Sequence, residues 1–428
     1  MRFHCLGVGS IGSLVAFHLR RENPSPDHSV CLVVRRVAFR RDLLSTKDTS
    51  ILIERDGLRR KISGFDVELH DDTADRLRAL SAIRSMHRTN FKIPIADGET
   101  HLLPRKTTDY KAQRMPLHKD TIQSLIVTSK TSSTLRSISL LKPRLNASST
   151  IFLLQNGMGV YDHLVSSIFR NPDTRPNFII GSTTHGAWTK GVHDVVHSGL
   201  GRIHFGIVPD PFGRRDFELS NKSSQTPGQN PSLSLDDICP TDVPDRDQKF
   251  WTLRETTQAL QRCNDLDVHW IPMAQMEVYL LRKLVVNACI GPLTALIGCR
   301  NGALYGDNSA HRAIRWVCSE AAAVFAAQAR EEADLRRESA GGRPVPRPPD
   351  AKSLEAEVLR VIRATSTNLS SMLVDIRRGN RTEVEYINGH LSRLGRKYGV
   401  QTPRNDFLWE TVRMKNRIPA TPEKEDYL

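Results

Sequence analysis

The chain has 428 residues, of which 39% are hydrophobic and 25% charged. That composition excludes a disordered or fibrous protein, and the length suits two domains with the surplus in loops. A formal charge of +14 suits anionic small molecules, nucleic acid or a membrane surface without choosing among them, and seven dispersed cysteines with no C-x-x-C pair argue against a disulfide framework or a zinc site and for a reducing, cytoplasmic setting.

Residues 2–6 read as a buried strand that runs into Gly7-Val8-Gly9-Ser10-Ile11-Gly12, then a helical pattern stopped before Pro24, then a strand over 30–34. This is a βαβ unit, and its strand starts too early to leave room for a signal or transit peptide. Strand patterns at 124–128, 149–154 and 178–181 alternate with helical ones around 131–142 and 158–169. The alternation predicts an α/β domain over residues 1–271, a Rossmann-type doubly wound parallel sheet. Two polar stretches, about 209–248 and 336–352, predict surface insertions, the first too polar to order itself. Residues 272–428 predict an all-α C-terminal domain with helices over 273–290, 308–335, 353–377 and 382–397. Its most apolar run, Leu284 to Cys299, falls short of the ~20 residues that cross a bilayer, so no membrane span is expected.

Three groups of residues carry chemistry. In the glycine loop, Gly7 permits the tight turn, Gly9 lets backbone amides approach a pyrophosphate, and Gly12 lets helix and strand pack closely. At the end of the second strand, where an acidic residue would accept ribose hydroxyls, the chain has Arg35, followed by Arg36; a guanidinium there clamps a 2′-phosphate and favours NADPH/NADP+. Arg40 and Arg41 add to the field. In the second group, Lys283, Asn287 and position 291 share one face of a helix beside apolar Leu280, Leu284 and Ala288, a setting in which a lysine is partly desolvated and can donate a proton near neutral pH. In the third, Asn368 and Ser371 stand at i and i+3, and Thr382-x-x-Glu385 predicts a capping box that opens the next helix beside Glu383. No metal site is expected.

Together with Leu154-Gln155-Asn156-Gly157-Met158-Gly159 and Gly181-Ser182-Thr183-Thr184-His185, these motifs resemble, in order, those of the ketopantoate reductase family. The resemblance implies an NADPH-dependent reduction of a 2-oxo acid in a cleft between the two domains, by a monomer or homodimer. It assigns the proton-donating role to Lys283 and a supporting role to Glu383 near the cofactor and the reacting oxygen. Substrate contacts fall to Asn287, Asn301, Asn368 and Ser371, and cofactor contacts to Gly7, Val8, Gly9, Ser10, Ile11, Gly12, Arg35, Lys130, Asn156, Ala187 and Glu383. One position departs: where the family carries a second asparagine before Pro-Leu-Thr-Ala, this chain has Gly291, which removes a substrate hydrogen bond worth ~0.5–1.5 kcal/mol and leaves open another branched 2-oxo acid. A non-catalytic fold relative that binds RNA or a protein partner is the alternative reading, motivated by the charge and the polar insertions; the polar residues of the cleft speak against it.

Overall fold

The computed structural model describes residues 1–24, 26–35, 49–70, 120–191, 193–220, 233–240, 248–338 and 345–418. Short apolar runs become strands covered on both faces, as a parallel sheet between helices requires. β1 (Arg2–Leu6), β2 (Ser29–Val34), β5 (Asp66–Leu69), β6 (Ser124–Val127), β7 (Thr150–Leu154), β8 (Asn177–Thr183), β11 (Ile203–Ile207) and β12 (Val268–Trp270) form one sheet in the order β12-β11-β8-β7-β6-β1-β2-β5. Pairing is parallel from β5 to β8; β11 runs antiparallel to β8, and β12 parallel to β11. The glycine loop joins β1 to α1 (Ser10–Glu22), and α2 (Thr131–Leu141) and α3 (Val160–Ser167) follow β6 and β7.

A second, four-stranded sheet that the sequence reading missed packs on α1, in the order β4-β3-β10-β9. It is built from β3 (Ser50–Arg55), β4 (Leu58–Ser63), β9 (Gly186–Thr189) and β10 (Asp194–Gly199). The β3–β4 hairpin turns at Asp56-Gly57, both at positive φ (51° and 78°), the Asp-Gly pair that fits a two-residue hairpin loop.

Of the insertion expected over 209–248, residues 221–232 and 241–247 lie outside the described residues, and the described parts are anchored to the core. Asp210 pairs with Arg214, Phe217 joins the main core, and the short α4 (Leu235–Ile238) buries Ile238 there too. Two apolar anchors and one ion pair among many polar residues hold these described parts. The carboxylate of Glu218 accepts a hydrogen bond from the backbone N–H of Met273 at 2.7 Å.

Beyond α5 (Gln248–Gln261), the C-terminal half is helical: α6 (Met273–Ile297), α7 (Asn308–Glu338), α8 (Ala351–Ala364), α9 (Ser371–Arg377), α10 (Asn388–Lys397) and α11 (Pro403–Arg417). α6 starts at Met273 as expected and runs on past 290, through Pro292, to 25 residues, long and apolar enough by length and composition to cross a membrane. Here α7, α8, α9 and α11 all pack against it. The helix expected over 353–377 is interrupted between α8 and α9, where Ser370 caps α9 by accepting from the Leu373 N–H at 3.1 Å. The capping box expected at Thr382 and Glu385 does not form. A 3-10 turn, Val384–Tyr386, precedes α10, Glu385 pairs with Arg413, and the Thr382 N–H donates to Asn416. All seven cysteines carry free thiols, six of them buried.

Candidate active site

The strand order changes direction between β1, which continues to β2, and β6, and in an open α/β sheet the crevice at such a switch point is the ligand site. A groove of about 660 Å³ lies there, lined by Gly7, Val8, Gly9, Val34, Arg35 and Ser129 among others. The glycines behave as the chemistry of a phosphate cradle demands. A Cβ on Gly12 would stand 2.0 Å from the Gly7 carbonyl oxygen, so helix and turn touch only because it is absent. A Cβ on Gly9 would meet nothing within 4 Å, which leaves the start of α1 open to the groove, and no side chain caps that helix end. Free first-turn N–H groups with the helix dipole behind them are an anion site, and these residues fit the pyrophosphate of a dinucleotide.

Arg35 is exposed on the groove wall; Arg36, Arg40 and Arg41 lie outside the described residues. Lys130 lines the groove too, but its ammonium is engaged by the carboxylate of Asp375 and the carbonyl of Arg381, both from the helical half. Ala187 sits on β9, half-buried against the core, and the groove wall nearest to it in sequence is Thr189, Lys190 and Gly191.

Beside the groove, the helical half meets the ends of β6, β7 and β8. Lys283, in the middle of α6, donates to the Ser182 hydroxyl at 2.7 Å and to the Thr183 carbonyl at 2.8 Å. Burial lowers its pKa from the ordinary lysine value to about 8, and the carboxylate of Glu383 pulls the other way. Glu383 lies at the N-terminus of α2, where its Oε1 accepts from the Thr131 N–H at 3.2 Å and the Thr131 hydroxyl at 2.9 Å. Its Oε2 accepts from the Asn156 amide at 3.3 Å. The carboxylate therefore joins the 155–159 loop to α2. That loop is docked on the helical half, where the Met158 N–H donates to the Tyr386 carbonyl at 3.0 Å, and on α2, where Gln155 donates to the Thr134 hydroxyl at 2.6 Å.

Asn287 stands one turn beyond Lys283, half-buried, and its amide makes no hydrogen bond among the described residues. One turn further, a Cβ on Gly291 would lie 3.0 Å from the Met372 methyl, so a thioether fills the room beside that position. Ser371 opens α9 and is exposed next to this contact. Asn301 and Asn368 form a separate corner. The Asn301 N–H donates to the Asn368 carbonyl at 3.0 Å and its amide to the Thr365 hydroxyl at 2.9 Å. Asn301 follows the end of α6 in the chain, and Asn368 precedes Ser370, whose hydroxyl meets the Thr294 hydroxyl of α6 at 2.7 Å. No hydrogen bond among the described residues joins them to Lys283.

The arrangement can hold an anionic nucleotide in the groove, and Thr131 and Glu383 link that groove to a partly desolvated ammonium. The partners that sequence reasoning left without a role are Ser182, Thr131 and Asp375. Ser182 lay within a quoted motif, and Thr131 directly follows Lys130.

The family model described as Ketopantoate reductase PanE/ApbA matches residues 60–210, and that of its C-terminal part matches residues 275–416. A 2-dehydropantoate 2-reductase of Escherichia coli O157:H7 is 30% identical over 291 residues, covering 68% of this chain and 73% of that protein. A probable 2-dehydropantoate 2-reductase of Schizosaccharomyces pombe is 24% identical over 95% of this chain and 93% of its own length. A ketoisovalerate reductase of Beauveria bassiana is 23% identical over 93% and 79% respectively. Among solved structures, D-mandelate dehydrogenase with NADH and anilino(oxo)acetate has the same fold, with a TM-score of 0.63 at 17% identity and coverage of 97% of this chain and 98% of that one.

Proposed function

Since this chain belongs to the ketopantoate reductase family and is an oxidoreductase acting on CH–OH, we propose that it reduces the C2 carbonyl of 2-dehydropantoate to pantoate with NADPH, Lys283 giving the proton. The observation that carries this reading is the partly buried Lys283 ammonium, hydrogen-bonded to Ser182 and lowered to about pKa 8 near Glu383, whose carboxylate bonds Thr131, the neighbour of Lys130 in the groove wall. NADPH, when bound, supplies the hydride. The residues present supply the rest. The open start of α1 receives the pyrophosphate, and Arg35 stands where a 2′-phosphate is recognised. Lys283 holds a proton at Nζ, stabilises negative charge growing on the carbonyl oxygen, and passes the proton to it. Ser182 and the Thr183 carbonyl orient that ammonium, and the uncommitted amide of Asn287 is placed to hold the substrate.

Purified protein should consume NADPH only when the 2-oxo acid is added. Lys283→Ala should lower kcat by about 10²–10⁴-fold, the usual worth of a positioned acid, while NADPH affinity read by fluorescence titration stays within a few-fold. Equal turnover in both proteins would remove Lys283 as donor. Arg35→Asp should weaken NADPH binding by about tenfold or more, the loss of a charge-assisted hydrogen bond, and NADH much less; equal losses would remove the 2′-phosphate assignment.

A second reading keeps the reaction and changes the substrate. Gly291 brings no hydrogen-bonding group, and its neighbour Met372 is apolar, which favours a branched 2-oxo acid without a terminal hydroxyl. Comparing kcat/KM for branched 2-oxo acids with and without that hydroxyl decides between the two.

A further inference from the structure

A second cavity, of about 290 Å³, lies between α1 and the small sheet, on the far side of α1 from its open first turn. Its buried wall carries two histidines, His18 of α1 and His197 of β10, only 4% and 5% exposed. Three arginines line it, Arg21, Arg55 and Arg60, against two carboxylates, Asp56 and Asp265. Arg55 and Arg60 are the exposed ones, at 40% and 66%. Their ion pairs are loose: Arg55 lies 3.3 Å from a largely exposed Asp56, and Arg60 lies 3.7 Å from Asp265. Exposed pairs of this kind are worth about 0–1 kcal/mol, so an incoming anion displaces them at little cost. Arg21 is held more firmly, by Glu22 and Asp265.

The histidines are set up for a ligand. The Nδ1 of His18 is buried without a hydrogen-bond partner, a state that buried polar atoms rarely keep. The tautomer of His197 follows from its neighbours. His185 Nδ1 accepts from the Gly201 N–H at 3.0 Å, so it carries no proton, and its Nε2 donates to the Leu266 carbonyl at 2.9 Å. The 3.0 Å contact between His185 Nδ1 and His197 Nε2 is then a donation from His197. This leaves Nδ1 of His197 as the nitrogen that can take up a proton.

We propose that this cavity binds a small oxyanion, the end of a carboxylate or phosphate-type ligand, with Arg55 and Arg60 at its mouth and His18 and His197 at its floor. Binding draws in a proton. Burial first, then Arg21, brings the His18 pKa to about 3, with Asp265 opposing and His197 and His185 adding to the effect. Burial also lowers His197, helped by His185 and Arg55 and opposed by a backbone hydrogen bond with Gly199 and, less, by Asp56. A bound anion reverses the balance, so affinity rises as the pH falls. The site is independent of the reaction proposed above. It has a structural tie to the groove, because His197 pairs in register with Ala187 on β9, and Thr189 at the end of that strand lines the groove.

The test uses ring-labelled histidine NMR on the full chain, with sodium sulfate or sodium acetate titrated against chloride at matched ionic strength. Sulfate keeps its charge across the pH range, and the two arms separate a tetrahedral from a planar oxyanion. Saturable shifts of the His18 and His197 rings, stronger near pH 6 than near pH 8, are expected with at least one of the two salts. The double variant Arg55→Ser/Arg60→Ser, changed only at exposed positions, should weaken them by about tenfold, the loss of charge-assisted hydrogen bonds. Lys130→Ser, in the groove, should leave them in place. Shifts that chloride reproduces, that survive in the double arginine variant, or that vanish in Lys130→Ser would overturn the proposal.

Discussion

Lys283 is partly withdrawn from water while still hydrogen-bonded. Burial destabilises its charged form, and Glu383, which holds negative charge nearby, restores part of that stability. The sign of the pH effect follows. In the proposed reaction the protonated amine is the working form, so kcat/KM should hold below a pKa of about 8 and fall above it. Glu383→Gln removes the influence that keeps this pKa up, so its alkaline limb should move to lower pH; a limb that stays put means Glu383 does not act on the amine. The candidates Lys283, Asn287, Asn156, Arg35 and Glu383 could be picked out in the sequence because each sits in a motif of neighbouring residues. Ser182 and Thr131 were not legible as partners, because they meet Lys283 and Glu383 across 101 and 252 residues and only through the packing of the two halves.

Among the elements, apolar periodicity found the central strands and the long helices, whose buried faces repeat regularly. It missed β3 and β4 because β4 reads Leu-Arg-Arg-Lys-Ile-Ser and is mostly exposed. Only the Asp56-Gly57 turn announces that hairpin. It also ran α8 and α9 together, since the Thr365–Ser370 interruption is built by hydroxyl and backbone bonds that a hydrophobic pattern does not record. A further link holds β1, β5 and the 142–144 turn together. Glu68 accepts from Arg144 at 2.9 Å and lies 3.5 Å from His4, all three buried. Burial alone would raise the Glu68 carboxyl, but hydrogen bonds from His4 and Arg144 carry it well below the usual carboxylate range. Arg144→Met should cost about 3 kcal/mol in urea unfolding at neutral pH, because it leaves a buried charge short of a partner. Since Glu68 stabilises the fold in its ionised form, the deficit should shrink as the pH drops through the acidic range. A deficit that is small at neutral pH would show that Arg2, at 3.3 Å from the same carboxylate, suffices alone.

For the molecule as a whole, the active-site neighbourhood exists only where the sheet and the helices dock. Gly157 is the tightest point of that joint: its φ is +85°, and a Cβ there would lie 2.5 Å from the Tyr386 carbonyl oxygen. Gly157→Ala should therefore cost ~1–3 kcal/mol, and it should open the 155–159 loop to proteases before global unfolding. An unchanged melting temperature with the loop still protected would show that the joint yields easily.

The carboxylate of Glu218 ties the polar stretch after Pro209 to the first turn of α6, the rod on which Lys283 is mounted. Recombining the halves of two relatives at the obvious seam near residue 272 would therefore graft a rod without its own anchor. A working hybrid has to carry its donor's anchor residue across with it, however unremarkable the surrounding loop looks in an alignment.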